Sequence, residues 1–112
     1  DAVLIVSPEH NRSMPAAVKN LLDIASRPAG KSLWGGKKTA VITASPGSYG
    51  GINSGLHIRQ SLQAMSADVM IAPEVFLSRA HTALADGQVS DARTAAFLNK
   101  FAAAFYAWAQ AE

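Results

Sequence analysis

The chain has 112 residues, no cysteine, 49% apolar and 16% charged residues, and a formal net charge of +2 at neutral pH. That length accommodates one domain with one core, and the apolar share fits a globular protein rather than a disordered or membrane-embedded one. Without cysteine, disulfides, thiolate zinc sites, cysteine nucleophiles and iron–sulfur ligation are excluded together. Redox chemistry, if present, must be carried by something the protein binds.

Ala2-Val3-Leu4-Ile5-Val6 is an uninterrupted apolar run, the signature of a strand buried on both faces in a parallel sheet. It is far too short to span a bilayer and lacks the basic start and cleavage pattern of a signal peptide. The expected address is therefore the cytoplasm, with no membrane partner. A polar loop, Ser7 to Ser13, follows. Ser13 is a candidate N-cap, with Pro15 close behind where a missing N–H costs nothing. Ala16, Val18, Leu21, Leu22 and Ala25 recur at helical spacing, and Arg27-Pro28 ends that helix.

Residues 29–37 read as a glycine-rich surface loop. Lys31, Lys37 and Lys38 form the basic cluster, and a solvated loop outweighs a nucleic-acid patch there, so no nucleic-acid partner is expected. Trp34 either packs or covers a ligand or an interface. Thr39 to Ala44 is a second buried strand, running into Ser45-Pro46-Gly47-Ser48-Tyr49-Gly50-Gly51, the most turn-prone stretch of the chain. Residues 52–65 are helical in pattern, with Leu56, Ile58, Leu62 and Met65 apolar. Val69 to Ala72 is a short third strand that Pro73 to Phe76 extends after a break. Residues 77–90 read as an exposed, irregular connection containing Asp86-Gly87. Ser90 or Asp91 then caps a last helix reaching Gln110, with Phe97, Leu98, Phe101, Phe105 and Trp108 as its apolar face.

Strands alternating with helices imply an α/β fold with right-handed crossovers and a parallel sheet covered on both faces. Ligands in such folds bind outside the carboxyl ends of the strands. The loops 7–13 and 45–51 both follow strands directly, so they are expected side by side at one end of the sheet. Neither has the G-x-x-x-x-G-K-S/T or the G-x-G-x-x-G spacing of a phosphate cradle. Gly47, Gly50 and Gly51 would let a flat ligand approach the backbone, and Asn11 with backbone N–H groups could bond a heteroaromatic ring. On spacing alone, a pair of ordinary strand-to-helix connections is an equal alternative. His10, His57 and His81 show no metal-ligand spacing, and Ser13 and Ser45 lack a G-x-S-x-G elbow. No metal site and no serine-based triad are therefore expected.

The run Ser7-Pro8-Glu9-His10-Asn11-Arg12-Ser13-Met14-Pro15, then Val18-Lys19-Asn20 and Ala25-Ser26-Arg27-Pro28, resembles the NADPH-dependent FMN reductase family. That family reads P-E-Y-N-x-S-x-P-G and L-K-N-A-I-D-W-x-S-R-P. The similarity continues through Gly36-Lys37, Ala44-Ser45-Pro46-Gly47, Gly50-Gly51, His57-Ile58-Arg59-Gln60, Pro73-Glu74-Val75-Phe76 and Asp86-Gly87. The resemblance implies a flavodoxin-like three-layer parallel sheet and an FMN-dependent enzyme. Such an enzyme passes hydride from NADPH or NADH to flavins, quinones or similar small acceptors by a ping-pong route. It also implies the site residues. Pro8, Glu9, His10, Asn11 and Ser13 would form one wall of the isoalloxazine site, and Ser45, Pro46, Gly47, Tyr49, Gly50 and Gly51 the other.

Three departures from the family pattern shape the expectation. The G-S-x-R-x-x-S-x-x-R loop that holds the FMN phosphate is not in this sequence, so residues 1–112 correspond to a partial domain. They would be strands 3 to 5 of the family fold with their helices, truncated at the N-terminus. His10 stands where the family has tyrosine. Asn53 and Leu56 replace an arginine and a tyrosine used in some tetramers, while Glu74 keeps the family glutamate; a homodimer or higher homo-oligomer is expected. Two alternatives remain beside the enzyme. One is a truncated flavodoxin-like module without cofactor that acts through self-association or partner binding, and the other, more remote, is a nucleotide- or nucleic-acid-binding domain using Lys31, Lys37 and Lys38.

Overall fold

The structure, a computed structural model, describes residues 1–111. Strand β1 (Ala2–Ser7) pairs in parallel with β2 (Lys38–Ala44), from Ala2 opposite Lys38 to Ser7 opposite Thr43. On the other side of β2, two short strands share one line. β3 (Asp68–Val69) pairs with the start of β2 and β4 (Val75–Leu77) with its end, again in parallel. The strand expected over Val69 to Ala72 is therefore split. Ile71 turns outward, 81% exposed, and pairing resumes only beyond Pro73, which has no N–H to give to a ladder.

The parallel order requires the connections to pass over the sheet. Helices α1 (Ala16–Ala25) and α2 (Ile52–Ala64) cover one face. Leu22, Ile58 and Leu62 are fully buried there against Ile5, Val41 and Trp34. Each such side chain contributes roughly 1.5–3 kcal/mol on leaving water. Trp34 resolves as packing: it is buried, and its Nε1–H donates to the Leu22 carbonyl at 3.0 Å. The stretch read as a surface loop thus drives its one aromatic side chain into the core, while Leu33 beside it stays exposed.

The last helix, α4 (Ala92–Gln110), covers the other face, with Phe101 buried against Ala40, Ile42, Met70 and Val75. Its rings continue outward, Phe105 stacking on Phe101 at 6.0 Å between centroids. Asp91 is the cap, its Oδ2 accepting from the Thr94 backbone N–H at 2.9 Å and the Thr94 hydroxyl at 2.7 Å. Those two bonds hold the Asp91 carboxyl below its ordinary range, the hydroxyl contributing most.

Four sequence expectations need correction. β1 is buried on one face only, because Leu4 and Val6, beside Ala40 and Ile42 in register, remain 39% and 64% exposed while α4 leans toward β4. Ser13 does not cap α1; Pro15 occupies the N-cap position without a side-chain bond, and Ser13 is engaged elsewhere. Residues 77–90 are not irregular. They fold into a short helix, α3 (Ala80–Ala83), and a hairpin of β5 (Leu84–Ala85) with β6 (Gln88–Val89), turned by Asp86 and Gly87 at φ 50° and 73°. Lys38 belongs to β2, where its Nζ donates to the Trp108 carbonyl at 2.8 Å instead of standing in a solvated loop.

Candidate functional site

β1 and β2 end abreast, with Ser7 and Thr43 opposite each other and both buried. The chain therefore leaves the sheet at one level through residues 8–13 and 45–51, side by side as the alternation requires.

The first loop closes on itself. His10 N–H donates to the Ser13 carbonyl at 2.9 Å, and Ser13 N–H returns a bond to the His10 carbonyl at 3.0 Å. Between them Asn11 and Arg12 both adopt left-handed backbone, at φ 52° and 67°. This is the geometry of a type I′ turn. Asparagine tolerates that region; arginine does so at a cost of about 1–2 kcal/mol.

The loop is tied to α2 at two places. Glu9 Oε1 accepts from the Ser54 backbone N–H at 3.0 Å, and Ser13 Oγ lies 2.8 Å from His57 Nδ1. Both partners come from α2, one turn apart. Gly51, at the N-cap of α2, has no side chain to satisfy the first turn. The carboxylate of Glu9 does so from the neighbouring loop, where the positive end of the helix favours an anion.

The second loop is braced from below. Ser45 N–H donates to the Leu77 carbonyl, Arg79 N–H to Gly47, and Ala80 N–H to Ser45, at 2.9–3.0 Å. Ser45 Oγ accepts from Gly47 N–H at 3.0 Å, and Thr43 Oγ1 donates to the Gly50 carbonyl at 2.8 Å. Gly50 and Gly51 are needed for a reason the sequence did not disclose. Both are buried at φ 63° and 78°. A Cβ on Gly50 would sit 2.6 Å from Phe76 backbone atoms, and one on Gly51 2.9 Å from Thr43 Cβ. They let the turn close on its own sheet. Gly47 is different: the nearest atom to its added Cβ is Ser45 Oγ at 3.5 Å, so its outer side is open.

Pro8, His10, Asn11, Pro46 and Tyr49 are exposed around this end of the sheet, Tyr49 at 80%. The backbone N–H groups of Asn11, Arg12, Ser48 and Tyr49 meet no protein acceptor among the described residues. The site is thus two rigid turns with free donors and little ionic chemistry. Ser13 and His57 do not make a hydrolytic triad, since no carboxylate bonds His57 among the described residues.

Residues 1–82 match the family model described as NADPH-dependent FMN reductase. The chain belongs to the NADPH-dependent FMN reductase family. It is 43% identical over 108 residues to a quinone reductase of Pseudomonas putida, covering 96% of this chain and 58% of that protein. It is 38% identical over 109 residues to a 2-hydroxy-1,4-benzoquinone reductase of a Burkholderia species, covering 96% and 60%. Among solved structures, FerB, a flavoenzyme NAD(P)H:(acceptor) oxidoreductase from Paracoccus denitrificans, superposes with a TM-score of 0.87. The two are 40% identical over 97% of this chain and 60% of FerB. The chain thus spans about three-fifths of the length of these relatives. The α/β architecture is the flavodoxin-like fold expected of the family.

Sequence reasoning identified both loops of this family member but missed their supports. Ser54 and His57 lie 45 and 44 residues from their partners, and no local pattern announces a pairing at that separation. Phe76 and Thr43, against which the glycines close, were legible only as strand residues. Among the described residues, no helix is long and apolar enough to cross a membrane.

Proposed function

We propose that the complete protein is a cytoplasmic FMN-dependent NAD(P)H oxidoreductase acting by ping-pong exchange, and that this chain supplies the walls of its flavin-ring site. In this reading residues 1–112 are strands 3 to 5 of the family domain with their helices. One observation carries it: in a chain of this family, two braced turns leave adjacent parallel strands at the same level and present unpaired N–H donors. When bound, FMN supplies two-electron chemistry between NADPH or NADH and a quinone, flavin or similar small acceptor.

The residues present fit an isoalloxazine ring. Pro8, Glu9, His10, Asn11 and Ser13 make one wall. Ser45, Pro46, Gly47, Tyr49, Gly50 and Gly51 make the other, with Gly47 offering the closest approach because only Ser45 Oγ, at 3.5 Å, stands near the position of an added Cβ. Donors at Asn11, Arg12, Ser48 and Tyr49 suit the carbonyl oxygens and ring nitrogens of an oxidised flavin. The protein's work here is stacking, orientation and hydrogen bonding, and no side-chain acid or base is assigned. The quinone-reductase names of the relatives favour a quinone as acceptor. Leu21 and Ile24 on α1 and Leu56 on α2, all exposed, support a homodimer through the outer faces of these helices. The test is visible absorbance of the purified full-length protein with added FMN, followed by NADPH oxidation with a benzoquinone. A protein that retains no flavin sinks the reading.

A second reading, a flavodoxin-like module without cofactor, is favoured by one feature. Leu4 and Ile42 with Leu98, Phe101 and Phe105 line an apolar groove of about 380 Å³ between α4 and the face of β1 and β2, and among the described residues the outer edge of β1 is unpaired. Such an edge invites pairing with another chain. A 112-residue chain that is monomeric in solution and binds FMN at micromolar strength excludes it.

A further inference from the structure

We infer that Glu9 is a positioning residue: its carboxylate fixes the distance between the two walls by holding the first loop on the N-terminus of α2. The inference rests on the proposed flavin site and deepens it.

Helix α2 lacks a cap of its own. Gly51 at its N-cap carries no side chain, no acidic residue stands in its first turn, and no side-chain cap bond is made from within the helix or its own approach loop. The first-turn N–H groups of a helix need acceptors from elsewhere. Glu9 provides one across the fold, Oε1 accepting from Ser54 N–H at 3.0 Å. Ser54 is fully buried and Glu9 half-buried, so this bond is partly shielded from water. A charge-assisted bond in such a place is among the stronger ones available to a loop.

The geometry then links the two walls. The second loop, 45–51, runs directly into α2, so the helix N-terminus is the end of that wall. The first loop is attached to the same helix by Glu9 at Ser54 and by Ser13 at His57. Between these anchors the loop is a closed turn, 10–13, with its own pair of backbone bonds. A turn that is internally closed and anchored on both sides moves as a unit. Cutting the Glu9 anchor therefore shifts the whole wall rather than one side chain.

The experiment compares Glu9→Gln, Glu9→Ala and Glu9→Asp in the full-length protein. The glutamine carboxamide oxygen reaches Ser54 N–H as the carboxylate does, whereas alanine offers no acceptor and aspartate is one methylene too short. Two readouts are used: amide hydrogen exchange at Ser54 and residues 10–13 in flavin-free protein, and FMN affinity by fluorescence quenching. Glu9→Ala and Glu9→Asp are expected to speed exchange at Ser54 and weaken FMN about 10- to 100-fold, the loss of one partly buried bond to a charged group. Glu9→Gln is expected to restore both to within a few-fold of the parent. The inference is overturned if Glu9→Ala exchanges like the parent, or if Glu9→Gln weakens FMN as much as Glu9→Ala. Should Glu9→Ala not fold, Glu9→Asp against Glu9→Gln makes the same comparison. A parent protein that binds no FMN defeats the flavin reading instead, and the exchange pattern alone then decides the anchor.

Discussion

Lys38 Nζ lies 5.1 Å from the centre of the Trp108 ring and donates to the Trp108 carbonyl at 2.8 Å, so one ammonium group serves both the face of an indole and the end of a helix. It also donates to the Ala111 carbonyl. The C-terminal carbonyls of α4 have no partners within the helix, and a cation there meets the negative end of its dipole. Replacing Lys38 by methionine keeps the stem and removes the charge. We expect a loss of about 1–2 kcal/mol, the combined weight of a charge-assisted bond and a partly exposed cation–π contact. Urea unfolding measures it; an unchanged midpoint means the last turn of α4 is held by packing alone.

How legible the molecule was depends on the range of the interaction. The order of the main strands and helices, a cap at Ser90 or Asp91 and the placing of both loops followed from local periodicity and from the rules of parallel sheets, whereas α3 and the β5–β6 hairpin did not. Trp34 was open because composition around it, glycine and lysine, signals solvent, while its fate was decided by the Leu22 carbonyl on a helix twelve residues earlier. Ser13 has the chemistry of an N-cap, yet His57 competes for its hydroxyl across 44 residues. β1 looks buried on both faces because its sequence is, and only the position of α4 decides which side stays open. Gly47, Gly50 and Gly51 were read as places for a ligand to approach, but what demands glycine at Gly50 and Gly51, Phe76 and Thr43 behind them, is tertiary.

The N-terminus of α4 should respond to acid. Asp91 is held below the ordinary carboxyl range by its bonds to Thr94, so its folded-state value is lower than its unfolded one. The stability it contributes is therefore present above the unfolded value of about 3.9 and is lost as pH falls through the lower, folded value. Exchange of the Thr94 and Ala95 amides should accelerate in that acid window more than exchange in the middle of α4. Asp91→Ala should show the faster exchange at neutral pH and no further acid response there. Equal exchange in the two proteins at pH 7 removes Asp91 from its capping role.

Arg12 occupies the second central position of a type I′ turn at φ 67°, where glycine is the favoured residue. Arg12→Gly should stabilise the folded chain by about 1 kcal/mol, less whatever the glycine loses in chain entropy. Thermal unfolding of flavin-free protein is the measurement. A lower melting temperature would mean that the arginine side chain makes contacts worth more than the strain it bears. If the guanidinium also meets the nicotinamide nucleotide or the acceptor, KM rises in the same variant while the melting temperature goes up.

Gly50 and Gly47 separate what the fold needs from what a ligand needs. Gly50→Ala places a methyl 2.6 Å from the Phe76 backbone at a positive φ of 63°, and neither the strand nor the turn can yield cheaply. Overpacking and backbone strain together should cost about 2–4 kcal/mol. Gly47→Ala meets only Ser45 Oγ at 3.5 Å and is not in left-handed backbone, so unfolding should change by less than about 0.5 kcal/mol. Its added methyl instead points into the space assigned to the flavin. Gly47→Ala is therefore expected to leave the melting temperature of flavin-free protein in place and to weaken FMN binding by about tenfold, roughly 1.4 kcal/mol. Unaltered FMN affinity in that variant would place the ring away from the second wall, whereas a matched loss of stability would mean that Gly47 closes its turn as Gly50 does.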